Sequence, residues 1–139
     1  MIQLNPYLNL DGTTEEAFTF YKSVFGGEFI AFQRFKDTPD GEKLSPEEGD
    51  KIMHVAFKIG ENTLMCTDAL PSQGKSVTMG DTISLSLQVD SRIESDAIYS
   101  KLSVGGVQEL PMQEMFWGAY FGMLTDRFGI KWMINCDKK

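Results

Sequence analysis

Alternating apolar and polar residues mark much of the chain, as is typical of β-strands with one buried face. The clearest alternation covers residues 3–10, 53–59 and 82–89. Shorter segments rich in strand-forming residues cover 28–35, 63–68, 107–114, 119–125 and 131–136. Tight turns are predicted at residues 60–62 and 126–129, where glycine, asparagine or aspartate occurs. The pattern therefore predicts eight strands.

Two other segments have apolar residues at a period near 3.6, which indicates amphipathic helices. The first is predicted to begin at Thr13 and to end at Gly26, and the second to begin at Ser91 and to end at Gly105. Each start has a glutamate three residues later, which is the spacing of a capping box. The apolar stripes are Ala17, Phe18, Tyr21, Val24 and Phe25 in the first helix, and Ile93, Ala97, Ile98 and Leu102 in the second.

The order of these elements repeats: a strand, a helix and three strands, followed by the same series. Asp11 lies 15 residues before Gly26, and Asp90 lies 15 residues before Gly105, so the two copies are offset by 79. The repeat predicts two βαβββ modules, about residues 1–70 and about 80–139, in one α+β domain over residues 1–139. We expect the polar faces of the two sheets to converge in a cup.

Residues 36–50 show no period and contain two prolines and many charges. We expect a solvated connector here. A lid over a pocket is the alternative, because loops of this length are often functional.

The composition narrows the classes of function. With 13 basic and 20 acidic residues the net charge is −7, which disfavours nucleic acids and anionic membrane surfaces as partners. No apolar run approaches the ~20 residues of a membrane span, and the amino terminus does not resemble a signal peptide. Cys66 and Cys136 are 70 residues apart and only one histidine is present, so we expect core thiols, no disulfide framework and a reducing cytoplasm.

Five segments carry a resemblance to a known family: NPYLNLDG, EEAFTFYKSVFGGE, IMHVAFKIG, LMCTDA and FWGAYFGMLTDRFGIKWMIN. Together they resemble the PhnB-like branch of the vicinal oxygen chelate superfamily, which includes glyoxalase I, bleomycin- and fosfomycin-resistance proteins and extradiol dioxygenases. The resemblance runs from about residue 4 to residue 135. It implies a paired βαβββ fold, commonly a homodimer, and a small-molecule ligand in the cup. Some PhnB-like proteins carry a ubiquinone-precursor methyltransferase label, but no Rossmann-type motif for a methyl donor is present here.

The resemblance also implies where a metal would bind, because metal-dependent relatives take ligands from the first and last strands of each module. Those positions fall on Asn5, Met65, Ser84 and Met133. Hard divalent ions prefer imidazole and carboxylate ligands, and this set offers neither. We therefore expect no metal and no cofactor.

Several residues remain candidates for chemistry. His54 is the only imidazole and the only side chain that ordinarily titrates near neutral pH, so it is a candidate base, with Glu114 or Asp68 as its acid partner. The alternative is a histidine that simply completes a hydrogen-bonded polar face. Phe116 and Trp117 either line an apolar pocket or pack in a core or dimer contact. The predicted ligand-binding set is Asn5, Tyr7, Met65, Asp68, Ser84, Ser86, Phe116, Trp117 and Met133.

Three functions follow from these observations. The first is a metal-free protein that binds a small molecule, in which amide, hydroxyl and imidazole groups orient the ligand and aromatic side chains bury it. The alternative is a lyase- or isomerase-type enzyme of the same superfamily that uses His54 or a metal. The third is a dimeric structural or regulatory module without a ligand.

Overall fold

The structure is a computed structural model, and it describes residues 1–138. The chain divides into two compact units, Met1–Thr78 and Met79–Lys139. Each unit contains one four-stranded sheet.

The first unit contains one long helix and a four-stranded sheet in the order β1-β4-β3-β2. Strands β1 and β4 are parallel, and the other neighbouring strands are antiparallel. The elements are β1 (Tyr7–Leu10), α1 (Thr14–Phe25), β2 (Phe29–Arg34), α2 (Pro46–Gly49), β3 (Ile52–Ile59) and β4 (Asn62–Asp68). Short 3-10 turns cover Phe35–Asp37, Gly41–Lys43 and Pro71–Gln73.

The second unit repeats this arrangement, with strand order β5-β8-β7-β6. Its elements are β5 (Leu85–Gln88), α3 (Arg92–Leu102), β6 (Val107–Glu114), β7 (Tyr120–Thr125) and β8 (Lys131–Cys136). Strand β5 is parallel to β8, as β1 is to β4. The predicted α+β class and the two βαβββ modules are therefore confirmed.

Helix α1 covers one face of the first sheet. Its residues Ala17, Phe18 and Tyr21 are buried, as are Val55 and Phe57 of β3. Cys66 and Cys136 are free and buried, as predicted for core thiols. Burial of such apolar side chains is the main contribution to stability, at about 25 cal/mol per Å². The opposite face of the sheet carries the polar positions of the alternating pattern.

The start of α1 differs from the predicted capping box. Thr13 is the N-cap residue, but its side chain forms no capping hydrogen bond. The backbone N–H of Thr14 donates instead to the Asp68 carboxylate at the end of β4, 3.0 Å away. The Asp68 carboxylate, which is distant in sequence, therefore caps the helix in place of the predicted Thr13 hydroxyl.

The buried face of α3 also differs from the prediction. Leu102 is buried as predicted, but Ile93 is 85% exposed and Ala97 is exposed. Ser95 and Tyr99, which lie outside the predicted stripe, are buried. The helix ends at Leu102, before Gly105, where the sequence predicted its end. The helix is thus correctly located but rotated from its predicted orientation.

Two strands are shorter than predicted. Strand β1 begins at Tyr7, because Pro6 has no N–H to donate to a ladder, and Leu4 before it is 93% exposed. Strand β5 begins at Leu85, and Ile83 before it is exposed. The 36–50 segment contains connector and three helical turns, which are the end of the Phe35–Asp37 turn, the Gly41–Lys43 turn and α2. Helix α2 is capped by Ser45 Oγ, which accepts from Glu48 N at 3.2 Å.

Candidate functional site

The polar face of the first sheet has Tyr7 and Met65 side by side, because β1 pairs with β4 in that register. The next positions on the same face are Asn9 and Thr67, which are also paired. Asn5, predicted at this place on the first strand, precedes β1, and its Oδ1 accepts from Thr63 N at 3.4 Å. The residue opposite Met65 is therefore Tyr7.

Tyr7 and His54 form the central contact of this face. The Tyr7 hydroxyl lies 3.0 Å from His54 Nδ1, and the two rings stack with centroids 5.7 Å apart. Burial raises the pKa of the Tyr7 hydroxyl, with a smaller contribution from the nearby Cys66 thiol, so the phenol is protonated at neutral pH. It can then donate to Nδ1 when the neutral imidazole carries its proton on Nε2. Among residues 1–138, none forms a hydrogen bond with Nε2.

Asp68, a predicted ligand-binding residue, is tied to the backbone. Its Oδ1 accepts from Thr14 N at 3.0 Å and its Oδ2 accepts from Ile52 N at 2.8 Å. The residue is 3% exposed. Because both oxygens accept backbone N–H groups, the carboxylate links three elements, the start of α1, β3 and β4. Asp68 therefore has a structural role, and its role in ligand binding stays a prediction.

A pocket of about 480 Å³ lies at the carboxyl ends of β1 and β4. Its polar side chains are Asn9, Thr67, Asp68, Gln73, Lys75 and Ser76, and its apolar side chains include Phe35, Met53 and Val77. Asn9 and Thr67 therefore belong both to the polar face and to the pocket. Such a mixture of apolar walls with a few polar groups is typical of small-molecule sites.

The cysteine on the buried side of β4 is poorly suited to nucleophilic chemistry. Burial raises the pKa of the Cys66 thiol to about 12, and a hydrogen bond with Thr14 Oγ1 at 3.2 Å only partly opposes that effect. The thiolate is the reactive form of cysteine, and it is scarce at neutral pH here. Cys66 is a core residue.

The structure also allows the metal positions implied by the resemblance to be tested. The register places Tyr7 beside Met65 in the first unit and Ser86 beside Met133 in the second. Ser84, expected on the first strand of the second module, precedes β5. Phenol, hydroxyl and thioether groups are weak ligands for hard divalent ions, so these positions do not fit the metal of the relatives. Among residues 1–138, no cluster of three His, Cys, Asp or Glu side chains is arranged to hold a metal.

The remaining predicted site residues lie in the second unit. Glu114, on β6, forms an ion pair with Arg92 at 3.5 Å and is half exposed. Phe116 and Trp117 occupy the β6–β7 turn, where they are 97% and 54% exposed, with ring centroids 5.0 Å apart. Within the second unit, Glu114 is therefore a surface ion-pair partner of Arg92.

Sequence reasoning missed five polar residues that line the pocket: Asn9, Thr67, Gln73, Lys75 and Ser76. The alternation of β1 already placed Asn9 on the same face as Tyr7, so that signal was present. Lys75 and Ser76 lie after the last strand of the module, in a segment without any period. Their position depends on the turn that follows β4, which no local pattern predicts.

The fold is one that this chain shares with solved glyoxalase-related and glyoxalase/bleomycin resistance proteins. A glyoxalase-related enzyme from Fulvimarina pelagi has the same fold, with a TM-score of 0.64 and 18% identity over 97% of this chain and 88% of that one. Protein PA1353 from Pseudomonas aeruginosa is more similar, with a TM-score of 0.88 and 37% identity over 100% of both chains. Protein YjdN of Escherichia coli (strain K12) is 33% identical over 98% of this chain and 96% of its own length.

A family model described as 3-demethylubiquinone-9 3-methyltransferase matches residues 3–135. The chain belongs to this family, which is the PhnB-like family predicted from the sequence resemblance. The description of the family names a reaction, and the sequence contains no glycine-rich strand–turn–helix motif for a methyl donor. Within residues 1–138, no helix has both the length and the apolar character needed to cross a bilayer.

Proposed function

We propose that this protein binds a small organic molecule without a metal, and that the polar face of the first sheet is its binding surface. The observation that carries the proposal is the Tyr7–His54 hydrogen bond, 3.0 Å long, on the face that leads through Asn9 and Thr67 into the pocket. A preformed polar pair beside a pocket reduces the entropy lost on binding, because fewer side chains need to be ordered.

The chemistry of this face supports recognition by hydrogen bonds and apolar contact. His54 Nε2 supplies a donor, Asn9 a donor and an acceptor, and Thr67 a hydroxyl. Met53 and Phe35 provide adaptable and aromatic apolar surface for the body of a ligand. The ligand class expected from these groups is a small amphipathic molecule, which the protein sequesters or senses.

A fragment screen by two-dimensional ¹H–¹⁵N NMR tests the proposal. We expect hits to shift the backbone signals of Tyr7, His54, Asn9 and Thr67, and we expect His54→Ala to weaken them about tenfold by removing a hydrogen bond and ring contacts. Tyr120→Phe is the matched control, because it removes a tyrosine hydrogen bond at a site in the second unit. A screen whose hits all map elsewhere, or that yields none, contradicts the proposal.

A second candidate function is proton transfer, as in a lyase or isomerase. The Tyr7 hydroxyl fixes the imidazole and leaves Nε2 free to exchange a proton, which is the arrangement of a general acid or base. Tyr7 replaces the predicted partners here, because Asp68 binds backbone N–H groups and Glu114 pairs with Arg92. His54→Gln should abolish any solvent deuterium incorporation into a panel of carbonyl compounds. Equal incorporation by wild type and variant would exclude this candidate.

The homodimer and the cytoplasmic location also stay proposals. The exposed aromatic pair Phe116 and Trp117 supports self-association, since exposed aromatic clusters often mark interfaces. Sedimentation velocity of wild type and of Phe116→Ser would test the dimer, and a monomeric wild type would exclude it. The two free cysteines agree with a reducing compartment.

A further inference from the structure

The pocket at the ends of β1 and β4 contains more hydrogen-bond donors than its surroundings use. Five of its side chains can donate a hydrogen bond, and in residues 1–138 none of the five forms a side-chain hydrogen bond or an ion pair. They are Asn9, Thr67, Gln73, Lys75 and Ser76. The pocket therefore presents donors without protein acceptors.

The charges of the pocket are also unbalanced. Its one carboxylate, Asp68, is 3% exposed and already accepts two backbone N–H groups. Its one cation, Lys75, has no acidic partner among the described residues. Lys75 also lines a neighbouring cavity of about 650 Å³, which has three acidic side chains, and among the described residues it forms an ion pair with none of them; they are Asp11, Glu47 and Glu48.

The segment that carries Lys75 is fixed in place. Its 3-10 turn ends at Gly74, whose φ of 71° returns the chain towards the strand end. Lys75 N donates to Leu70 O at 3.2 Å, and Ser72 N donates to the Glu48 carboxylate at 3.2 Å. The lysine backbone is therefore held at the pocket edge before any ligand arrives.

We infer that the ligand of this pocket is a small organic carboxylate, with its anionic group at Lys75 and its apolar body between Met53 and Val77. This inference rests on the proposed function and adds the class of ligand. A carboxylate accepts up to four hydrogen bonds, which matches the donors of Lys75, Ser76 and Gln73. Because Lys75 is exposed, the attraction is screened by salt, and binding should weaken as ionic strength rises.

The test uses matched pairs of an acid and its amide: hexanoate, 3-phenylpropionate and 4-phenylbutyrate, each with its primary amide. Binding is followed by ¹H–¹⁵N NMR titration of the full chain. We expect the acids to shift the signals of Asn9, Thr67 and Lys75 and to bind about fivefold to tenfold more tightly than the amides. Lys75→Gln should remove the preference for acids, because it removes the positive charge of the lysine and leaves the affinity for the amides unchanged.

Lys58→Gln is the control, because it removes an exposed lysine from the same sheet outside the pocket, and it should keep the preference for acids. Equal binding of acids and amides by the wild type overturns the inference while leaving the proposed function in place. NMR signal shifts that are confined to Tyr7 and His54 would also overturn the inference and leave the proposed function in place. Absence of binding by the whole panel overturns the inference, and the fragment screen then decides the proposed function separately. Thermal melting of both variants shows whether they fold.

Discussion

The buried carboxylate of Asp68 should contribute more to the free energy of unfolding than any other single polar group of the first unit. Replacing it in Asp68→Asn keeps the shape of the side chain but leaves one acceptor oxygen and one NH₂ group. The oxygen can serve either Thr14 N or Ile52 N, and the NH₂ group then faces the other N–H. The loss is one charge-assisted hydrogen bond and one unsatisfied buried donor, about 3 kcal/mol. A domain has only about 5–15 kcal/mol of stability, so this is a large fraction.

Urea unfolding followed by circular dichroism measures this change in the free energy of unfolding, and amide hydrogen exchange locates it. We expect faster exchange at Thr14 N or Ile52 N in the variant, because one of the two loses its acceptor. Asp90→Asn is the matched control: it removes a charge from an exposed carboxylate that forms a long ion pair with Lys138, at 3.7 Å. Its unfolding midpoint should stay within error of the wild type. A loss below about 1 kcal/mol in Asp68→Asn, with both amides still protected, would refute the assigned structural role.

Three further predictions concern buried groups. Burial raises the pKa of the Cys66 thiol to about 12, so the thiol of the unfolded chain ionises at a lower pH than that of the folded chain. The free energy of unfolding should therefore fall as the pH rises from about 9 towards 12. Urea unfolding of Cys66→Ala should lack that part of the pH dependence. Tyr99→Phe removes the hydroxyl that donates to Leu110 O at 2.9 Å and should cost about 1–2 kcal/mol, whereas an unchanged urea midpoint would show that water replaces it. Gly122→Ala places a Cβ 2.6 Å from Met112 Sδ and 3.0 Å from the Tyr99 ring, so we expect a loss of about 1–3 kcal/mol by overpacking; a neutral result would mean that the Met112 side chain moves aside.

The fold was predictable because both modules repeat the same order of elements, and each copy supports the interpretation of the other. Helix α3 shows where hydrophobic periodicity fails. Its buried face includes Ser95, whose hydroxyl donates to Ser91 O at 2.7 Å, and Tyr99, whose single O–H donates to a backbone carbonyl. The nearer carbonyl is Leu110 O at 2.9 Å, and Met123 O lies at 3.2 Å. A polar group whose hydrogen bonds are satisfied can be buried, so the predicted stripe was right for Leu102 and wrong for Ile93. Periodicity counts apolar residues and does not detect satisfied hydroxyls.

The site was predictable only in part. Tyr7 and His54 were both candidates, because each falls on the polar side of an alternating strand. Their direct contact depends on β4 lying between β1 and β3, and on the register that places Tyr7 opposite Met65. No local pattern contains that register. The placement of Asn5 on the first strand was wrong, since it assumed that the strand began before Pro6. Its role in ligand binding stays a prediction.

The two units have the same topology but different chemistry at equivalent positions. Ala56 corresponds to Met123, because each lies opposite the methionine of the last strand in its unit. Two residues earlier on these strands stand His54 in the first unit and Phe121 in the second. The first unit therefore has an imidazole where the second has a phenyl ring, and the second also has a serine at the position of Tyr7. Since the phenol–imidazole pair occurs once per chain, the repeat of the fold is not a repeat of the site, and a ligand that requires this pair should bind with a stoichiometry of one per chain.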